Sequence, residues 1–256
     1  MSNIDVAEVR EWAQAGGAIA RGHFNNVIGQ RKPDRSWVTA ADVEIESLLR
    51  ERILARYPDH GIMGEEQGLY ATDREFVWVL DPLDGTDAFV NGLPTWSISI
   101  GLLRQGEPYL GVIYVPILGD CYWVDAQGSA YRNETPIQVK DSTSVDRNDW
   151  MPVPSRAHIN YVIRFPGKTR SLGSLAVHCC YVARGSAIGA VIGHPYLWDI
   201  AAGLAILYAA GGTAVTFDGQ PLQTRSLLQG GSTSQPLLIA PTAMIAHLLP
   251  LVSQAR

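Results

Sequence analysis

A chain of 256 residues, of which 46% are hydrophobic and 18% charged, is long enough to bury a large core. This composition excludes a disordered, collagen-like or coiled-coil protein. Twenty Lys and Arg against 25 Asp and Glu give a net charge of −5, which disfavours nucleic acid and anionic membrane as general partners.

The N-terminal half is predicted to begin with two helices. Apolar residues recur at helical spacing over 4–26 and again from Ala40 to Tyr57, and the segment GQRKPDRSW between them is typical of a loop or short hairpin. Apolar runs then predict five strands: Phe76–Leu80, Ser97–Leu103, Tyr109–Val115, Gly119–Val124 and Ile137–Val139. Two long helices followed by consecutive strands indicate an α+β fold.

A polar stretch from Asp141 to Pro154 is predicted to divide the chain into halves, 1–145 and 146–256, that form one compact unit with the active site between them. Helices and strands alternate beyond it, which predicts an α/β half. The predicted elements there are a helix at Leu172–Ala183, a strand at Ala187–Ile192, a helix at Asp199–Ala210, strands at Thr213–Phe217 and Pro236–Ala240, and a final helix.

The cysteines and the apolar runs predict the compartment. Cys121, Cys179 and Cys180 are too few and too poorly spaced for a disulfide framework, which favours free thiols in a reducing environment. The first residues carry acids and no apolar run, and no apolar stretch approaches the roughly 18 residues that a spanning helix needs. We therefore predict a soluble cytoplasmic protein.

The most informative segment is Asp81-Pro82-Leu83-Asp84-Gly85-Thr86, which directly follows an apolar strand. Pro82 fixes φ near −65°, so both carboxylates can project from the strand end toward one point. Gly85 lets the backbone approach a ligand, and the free N–H groups of a short helix from Thr86 to Val90 suit an anion. Two converging carboxylates would repel each other without a cation, and hard oxygen ligands favour Mg²⁺ or Mn²⁺.

Other acidic residues have two possible roles each. Glu65 and Glu66 are either solvated loop residues or a source of a third carboxylate for the same point. Asp199 is either a helix N-cap or a fourth carboxylate for that point, and Asp42, which with Thr39 has the spacing of a capping box, presents the same two alternatives. The six histidines show no metal or relay spacing, and none is assigned to catalysis.

Five segments in this order resemble the inositol monophosphatase family of metal-dependent phosphomonoesterases, and the likeness extends from the first helix through Gly219. The segments are VTAAD (38–42), GEE (64–66), WVLDPLDGTDAFVNGLP (78–94), RSLGS (170–174) and WDIAAG (198–203). The resemblance implies a layered α/β/α/β/α sandwich of the inositol monophosphatase/fructose-1,6-bisphosphatase type. It also implies a homodimer, possible lithium inhibition, and two or three Mg²⁺ per site, with Mn²⁺ as a substitute.

The resemblance also implies roles for residues that match the motifs. The implied metal ligands are Glu65, Asp81, the Leu83 carbonyl, Asp84 and Asp199. Asp42 and Thr86, with Glu65, would orient and deprotonate the attacking water. The backbone N–H groups of Gly85 and Thr86 would hold the phosphate, Gly173 and Ser174 would contact the alcohol part of the substrate, and Ser155 would face the same cavity.

Departures from the family leave the substrate open. The stretch 189–197, GAVIGHPYL, lacks the acid that members acting on inositol phosphate place there, and His194 or Tyr196 could take over recognition. Leu175 replaces a small residue, and the segment between Val139 and Arg170 is shortened. The expected substrate is an inositol, sugar or histidinol phosphate. The alternatives are a nucleotidase that removes the 3′-phosphate of an adenosine bisphosphate, and a non-catalytic relative that binds metal or phosphate.

Overall fold

The computed structural model describes residues 4–26, 29–33 and 36–255 of the chain. Its α-helices are α1 (Val6–His23), α2 (Ala40–Arg56), α3 (Thr86–Val90), α4 (Ala157–Asn160), α5 (Leu175–Ala183), α6 (Leu197–Ala209) and α7 (Ile245–Leu248). Its strands are β1 (Gln30–Arg31), β2 (Trp37–Val38), β3 (Gly61–Gly64), β4 (Gly68–Tyr70), β5 (Phe76–Asp84), β6 (Ser97–Arg104), β7 (Glu107–Val115), β8 (Asp120–Val124), β9 (Ala130–Arg132), β10 (Thr135–Pro136), β11 (Trp150–Pro152), β12 (Tyr161–Ile163), β13 (Lys168–Arg170), β14 (Ala190–Ile192), β15 (Gly212–Thr216), β16 (Leu237–Pro241) and β17 (Val252–Gln254).

The first layer consists of α1 and α2, which pack on each other and on one face of the large sheet. Asp5 begins α1 because its carboxylate accepts the Ala7 N–H at 3.0 Å, which satisfies a free helix-end donor. Their apolar faces meet the sheet in one core, where Trp12, Ile45 and Trp78 are buried. The predicted helices are confirmed to within a few residues at their ends.

The large sheet has eight strands in the order β10-β9-β8-β7-β6-β5-β3-β4. Its neighbouring strands are antiparallel except β3 and β5, which are parallel. A register shift interrupts β5, since Asp81 pairs with Ser99 whereas Asp84 pairs with Ser97. The extra residue is a bulge, which re-aims side chains at the end of a strand. The DPLD segment therefore lies within β5, beyond the predicted strand end at Leu80.

The second half of the sandwich is built on α5 and α6. These helices pack on each other, and α6 contacts both the large sheet and β15. A three-stranded sheet in the order β14-β16-β15 follows, with α7 against β16. Helix pair, sheet, helix pair, sheet and outer helix give five layers, so the predicted layered α+β sandwich is confirmed.

Both pairings in the three-stranded sheet are antiparallel. One predicted element is wrong. The predicted strand at Ile137–Val139 is irregular, because the Ile137 N–H donates to the Ala130 carbonyl while the Val139 N–H donates to the Ala210 carbonyl. The side chains of Ile137 and Val139 still pack against the core, so their alternation reflects burial and not pairing with a neighbouring strand. No helix among the described residues is long and apolar enough to cross a membrane.

His178 is buried in α5 without a full set of partners. Its Nε2 accepts the Leu172 N–H at 3.4 Å, and within the described residues its Nδ1 has no hydrogen-bond partner. Burial lowers the pKa of His178 to about 3, so the imidazole is neutral in the folded protein at neutral pH.

Acid should therefore destabilise the protein through His178. The unfolded chain binds this proton below about pH 6.5 and the folded chain only near pH 3, so unfolding is favoured as pH falls between these values. We expect the wild type to lose up to about 1.4 kcal/mol of unfolding free energy per pH unit more than His178→Gln does. Urea denaturation at pH 7 and pH 5 measures this, and equal losses in both proteins would contradict it.

Candidate active site

The site is built at the end of β5, where the bulge and the following α3 bring acidic and small residues together. Asp81 is buried, and its Oδ1 accepts the Leu83 N–H at 3.1 Å, which fixes the local turn. Gly85 has φ of +91°, a left-handed backbone that glycine adopts without strain. This turn starts α3 at Thr86, as the sequence predicts.

Asp84 joins the end of β5 to the start of α5, although only 4% of its surface is exposed. Four donors bond its carboxylate: the Ser174 hydroxyl, the Ser97 hydroxyl at 3.1 Å, and the N–H groups of Leu175 and Ala176, each at 3.1 Å. Burial raises the pKa of Asp84 to about 6, and these hydrogen bonds oppose the rise. The four hydrogen bonds therefore hold the carboxylate rigidly, while burial makes its ionised form less favourable than in water.

Asp42 and Thr86 meet across the site. The Thr86 hydroxyl lies 3.2 Å from Asp42 Oδ1 and 3.0 Å from the Leu83 carbonyl oxygen, and its single proton can go to either. Asp42 Oδ2 accepts the N–H of Thr39 at 2.8 Å and the Thr39 hydroxyl at 2.6 Å. The carboxylate of Asp42 therefore caps α2 and also contacts Thr86.

Burial also affects the acid–base properties of Asp42. It raises the pKa of this carboxyl to about 6, the hydrogen bonds from Thr39 lower it, and the charge of Glu65 raises it further. A pKa near the operating pH suits a group that accepts and releases protons.

The Glu65 loop is held by Glu46, a residue that the sequence interpretation missed. Glu46 is fully buried, and its carboxylate accepts the N–H groups of Glu66 at 2.7 Å and Gln67 at 2.9 Å. A Cβ on Gly64 would lie 2.0 Å from Glu46 Oε1, so only glycine fits there. The sequence did contain a signal for Glu46: it is four residues after Asp42 in α2, a spacing that puts both side chains on one helix face.

Substituting Glu46 should loosen this loop. Glu46→Gln leaves one acceptor for two N–H groups, so we expect a loss of about 1–3 kcal/mol in unfolding free energy together with a lower kcat. Glu51→Gln removes the same charge from an exposed position of α2 and should change stability by no more than about 0.5 kcal/mol. Equal urea midpoints for the two variants would argue against this role of Glu46.

Lys32, which follows β1, lies over the loop. Its Nζ is 2.8 Å from Glu65 Oε1 and 2.5 Å from Glu66 Oε1. Burial lowers the pKa of Lys32, but the two carboxylates outweigh it, so the pKa is raised and the ammonium stays charged. Burial raises the pKa of Glu66 to about 7, against the effect of Lys32.

Asp199 differs from its predicted position. It is the third residue of α6, not its N-cap, and its Oδ2 accepts the Tyr196 N–H at 2.7 Å. Burial first, and then the charges of Asp84 and Glu65, raise the pKa of Asp199. Burial and the charges of Glu65, Asp84 and Asp199, in that order, raise the pKa of Asp81. Carboxylates from four separate parts of the chain, namely α2, the Glu65 loop, the end of β5 and the start of α6, therefore repel one another in one region.

This concentration of negative charge is chemically suited to a divalent cation. Every candidate donor is a carboxylate or carbonyl oxygen, the ligand type that Mg²⁺ and Mn²⁺ prefer. In the described ranges, no group of three or more His, Cys, Asp and Glu side chains is already arranged to hold a metal ion. The oxygens instead bond to protein donors, such as Lys32 at Glu65 and Ser174 at Asp84.

The residues predicted to contact substrate are only partly grouped. A Cβ on Gly85 would lie 3.1 Å from the Gly173 carbonyl oxygen, so this loop borders the turn. Ser174 is fully buried, and its hydroxyl donates to Asp84 and accepts the Val177 N–H, so its side chain contacts the protein interior. Ser155 is exposed and its hydroxyl lies 3.0 Å from that of Ser171.

The segment before Asp199 has no acidic residue but carries two exposed polar side chains, His194 and Tyr196. Val191 and Ile192 are fully buried in β14 and belong to the core. His194 donates its Nδ1 proton to the Thr233 carbonyl at 3.0 Å, and its Nε2 lies 3.3 Å from the Gln254 amide nitrogen. Tyr196 is 38% exposed and stacks on Trp198 at 4.6 Å between ring centroids. Both predicted substitutes for the missing acid are exposed, and the two ring nitrogens of His194 already contact Thr233 and Gln254.

The chain is similar to known phosphatases over nearly its whole length. It matches the model of the inositol monophosphatase family over residues 2–248. It is 32% identical to the fructose-1,6-bisphosphatase/inositol-1-monophosphatase of Aquifex aeolicus, over 92% of this chain and 93% of the relative. It is 31% identical to the histidinol-phosphatase of Chlorobaculum parvum, over 96% and 95%. The solved structure of Thermotoga maritima IMPase superposes with a TM-score of 0.83 at 26% identity, over 96% and 95%.

Proposed function

The chain belongs to the inositol monophosphatase family and is accordingly a phosphoric monoester hydrolase, and from this premise we propose that it hydrolyses a small phosphate monoester with Mg²⁺ as cofactor. The observation that carries the proposal is a group of five acidic residues that act on one another electrostatically, each in a segment that matches a motif of the family. The charges of Glu65, Asp84, Asp199 and Asp42 all raise the pKa of Asp81. Buried carboxylates that repel one another are stabilised when cations bind between them.

Within this proposal the ligands are Glu65, Asp81, the Leu83 carbonyl, Asp84 and Asp199, which would hold two or three Mg²⁺. When bound, Mg²⁺ supplies charge neutralisation for the phosphoryl oxygens and the leaving alkoxide and lowers the pKa of water. Asp84 is pre-positioned by its four hydrogen bonds, so little side-chain freedom is lost on binding.

The attacking water would be oriented by Thr86 and Asp42, with Glu65 nearby. The Thr86 hydroxyl can donate to Asp42 and accept from water, and Asp42, whose pKa is raised to about 6, can take the proton. The N–H groups of Gly85 and Thr86 at the start of α3 would bind the phosphate. Because general acid–base catalysis supplies only about 10²–10⁴-fold, electrostatic stabilisation must carry most of this slow reaction.

An assay of phosphate release tests the proposal. We expect hydrolysis of at least one of inositol 1-phosphate, fructose 1,6-bisphosphate and histidinol phosphate in Mg²⁺, and none after chelation with EDTA. Release from 3′-phosphoadenosine 5′-phosphate alone would instead support the nucleotidase alternative. No release from any of the four in Mg²⁺ would contradict the proposal and favour a non-catalytic relative.

A further inference from the structure

A cavity of about 550 Å³ lies between the β9–β10 hairpin and the turn that follows α5, and we call it the arginine pocket. Two arginines line it: Arg132 at the end of β9, and Arg184, the residue at which α5 ends. Its size is within the range of small-molecule sites. The other lining residues are uncharged, namely Asn133, Thr135, Pro136, Ile137, Gln138 and Ser186.

The two guanidinium groups are fixed around one carboxylate. Asp120, in β8, is only 4% exposed. Its Oδ1 lies 2.9 Å from Arg132 Nη2, and its Oδ2 lies 3.6 Å from Arg184 Nη1. Arg184 also donates from Nη1 to the Tyr122 hydroxyl and from Nε to the Ser186 hydroxyl, each at 2.8 Å. Both arginines are therefore held in position before a ligand binds, which lowers the entropic cost of binding.

The charges around the arginine pocket do not cancel. Asp120 places one negative charge beneath two positive ones, and no Asp or Glu is among the described residues that line the cavity. Glu134, the acid in the β9–β10 turn, lies 2.5 Å from Arg10 Nη2 and is paired there. The C-terminus of α5 adds only about half of a negative charge, which reduces the positive excess without removing it. The pocket therefore attracts anions, although the whole chain has a net charge of −5.

Unused donors remain on both arginines. A guanidinium has five N–H donors, and within the described residues the hydrogen bonds of Arg132 use one nitrogen and those of Arg184 two. The Arg132 side chain is 44% exposed and that of Arg184 18%, so both reach the cavity. The Ser186 hydroxyl accepts from Arg184 and keeps its own proton for a ligand. A phosphate group offers three terminal oxygens to such donors, whereas a carboxylate offers two.

The arginine pocket is separate from the acidic group of the candidate active site. The N–H groups of Leu175 and Ala176 at the start of α5 bond Asp84, whereas Arg184 lies at the other end of this helix. The nine residues of α5 span about 13 Å at 1.5 Å per residue. A ligand at Arg184 is therefore distinct from a phosphate bound at the start of α3.

We propose that the arginine pocket is a second ligand site, which binds a small molecule through a dianionic phosphate group. Arg132 and Arg184 contact the phosphate oxygens, and Ser186 donates to one of them. The space beyond the phosphate group takes an uncharged organic part beside Pro136 and Ile137. The proposal concerns binding alone, so it does not depend on the proposed phosphatase function.

Calorimetric titration with inorganic phosphate tests the proposal, at about pH 8, where a phosphate group is largely dianionic. EDTA is present throughout, so the acidic group holds no cation and repels the anion. We expect one phosphate per chain, and Arg132→Gln and Arg184→Gln should each raise its Kd at least about tenfold, since each removes charged donors. Arg147→Gln removes an exposed arginine outside the pocket and should leave the Kd unchanged. Succinate, a dianion with carboxylates only, should bind more weakly than phosphate.

The absence of phosphate binding to the wild type, or a Kd that neither pocket substitution raises, would overturn the inference. Tighter binding of succinate would contradict the assignment to phosphate. If Arg184→Gln does not fold, Arg132→Gln decides, because this side chain makes a single hydrogen bond among the described residues. Wild-type crystals soaked with tungstate and EDTA locate the anion: we expect an anomalous peak between the two guanidinium groups, and peaks only elsewhere would contradict the site.

Discussion

Replacing Asp84 by Asn is expected to reduce kcat by at least about 10³-fold while the chain still folds. The change removes one negative charge from a group of carboxylates that, in the proposed function, would hold cations, and a loss of about 4 kcal/mol in transition-state stabilisation corresponds to this factor. Folding should survive because the amide oxygen can still accept two of the donors that now bond Oδ2, and a serine hydroxyl can accept from the new amide N–H. Ionising Asp84 is less favourable than ionising an ordinary aspartate, since burial raises its pKa to about 6.

Asp87→Asn is the matched control for this variant. Asp87 lies three residues away in the same motif, is exposed, and bonds the Trp37 indole N–H at 3.0 Å, a bond that an amide oxygen can also accept. We expect its kcat to stay within about twofold of the wild type. Phosphate-release kinetics and thermal unfolding of both variants measure the difference. Near-wild-type kcat for Asp84→Asn would mean that its carboxylate is structural.

Thr86→Ala is expected to lower kcat by about 10²–10⁴-fold and to change the dissociation constant of Mg²⁺ far less. The hydroxyl touches Asp42 and the Leu83 carbonyl, so its removal would affect the orientation of the water more than the ligand oxygens. Thr86→Ser keeps the hydroxyl and should recover most of the activity. Steady-state kinetics and calorimetric titration of Mg²⁺ separate the two effects, and equal losses in both would indicate that Thr86 only caps a turn.

The sequence was sufficient to predict secondary-structure elements where a short motif or a strong hydrophobic periodicity is present. The apolar stripes of α1 and α2 gave their positions, because such stripes must face a sheet or another helix. The DPLDGT segment indicated a strand leading into a short helix, and β5 and α3 have this arrangement. The layered architecture came from resemblance to a family, since local pattern alone does not determine strand order.

Other features depended on contacts between distant residues. Ser97 was read as the first residue of a strand, and nothing local indicates that its hydroxyl bonds Asp84. Lys32 was one cation in a polar segment, and only the fold places it beside Glu65. Ser174 matched a substrate-contact motif, but the return of α5 to β5 buries its side chain. Each of these features depends on tertiary placement, which hydrophobic pattern does not encode.

The cavity beside β12 and β13 could not have been predicted for the same reason. Tyr161 and Thr169 lie in short strands and Phe165 in the loop between them, with no recognisable motif, and they line one cavity only because β12 pairs with β17 and β13 with β11. The shortened segment was visible in the sequence, but its consequence for the cavity was not. Substrate preference is accordingly the property that most needs direct measurement.

A crystal structure with Mn²⁺ and phosphate, recorded with anomalous scattering, tests the central claim most directly. We expect at least two anomalous peaks within bonding distance of carboxylate oxygens from Glu65, Asp81, Asp84 and Asp199, with the phosphate between those ions and the N–H groups of Gly85 and Thr86. Peaks confined to other surfaces, with these carboxylates still bonded only to protein donors, would contradict a metal-dependent phosphatase built on this site.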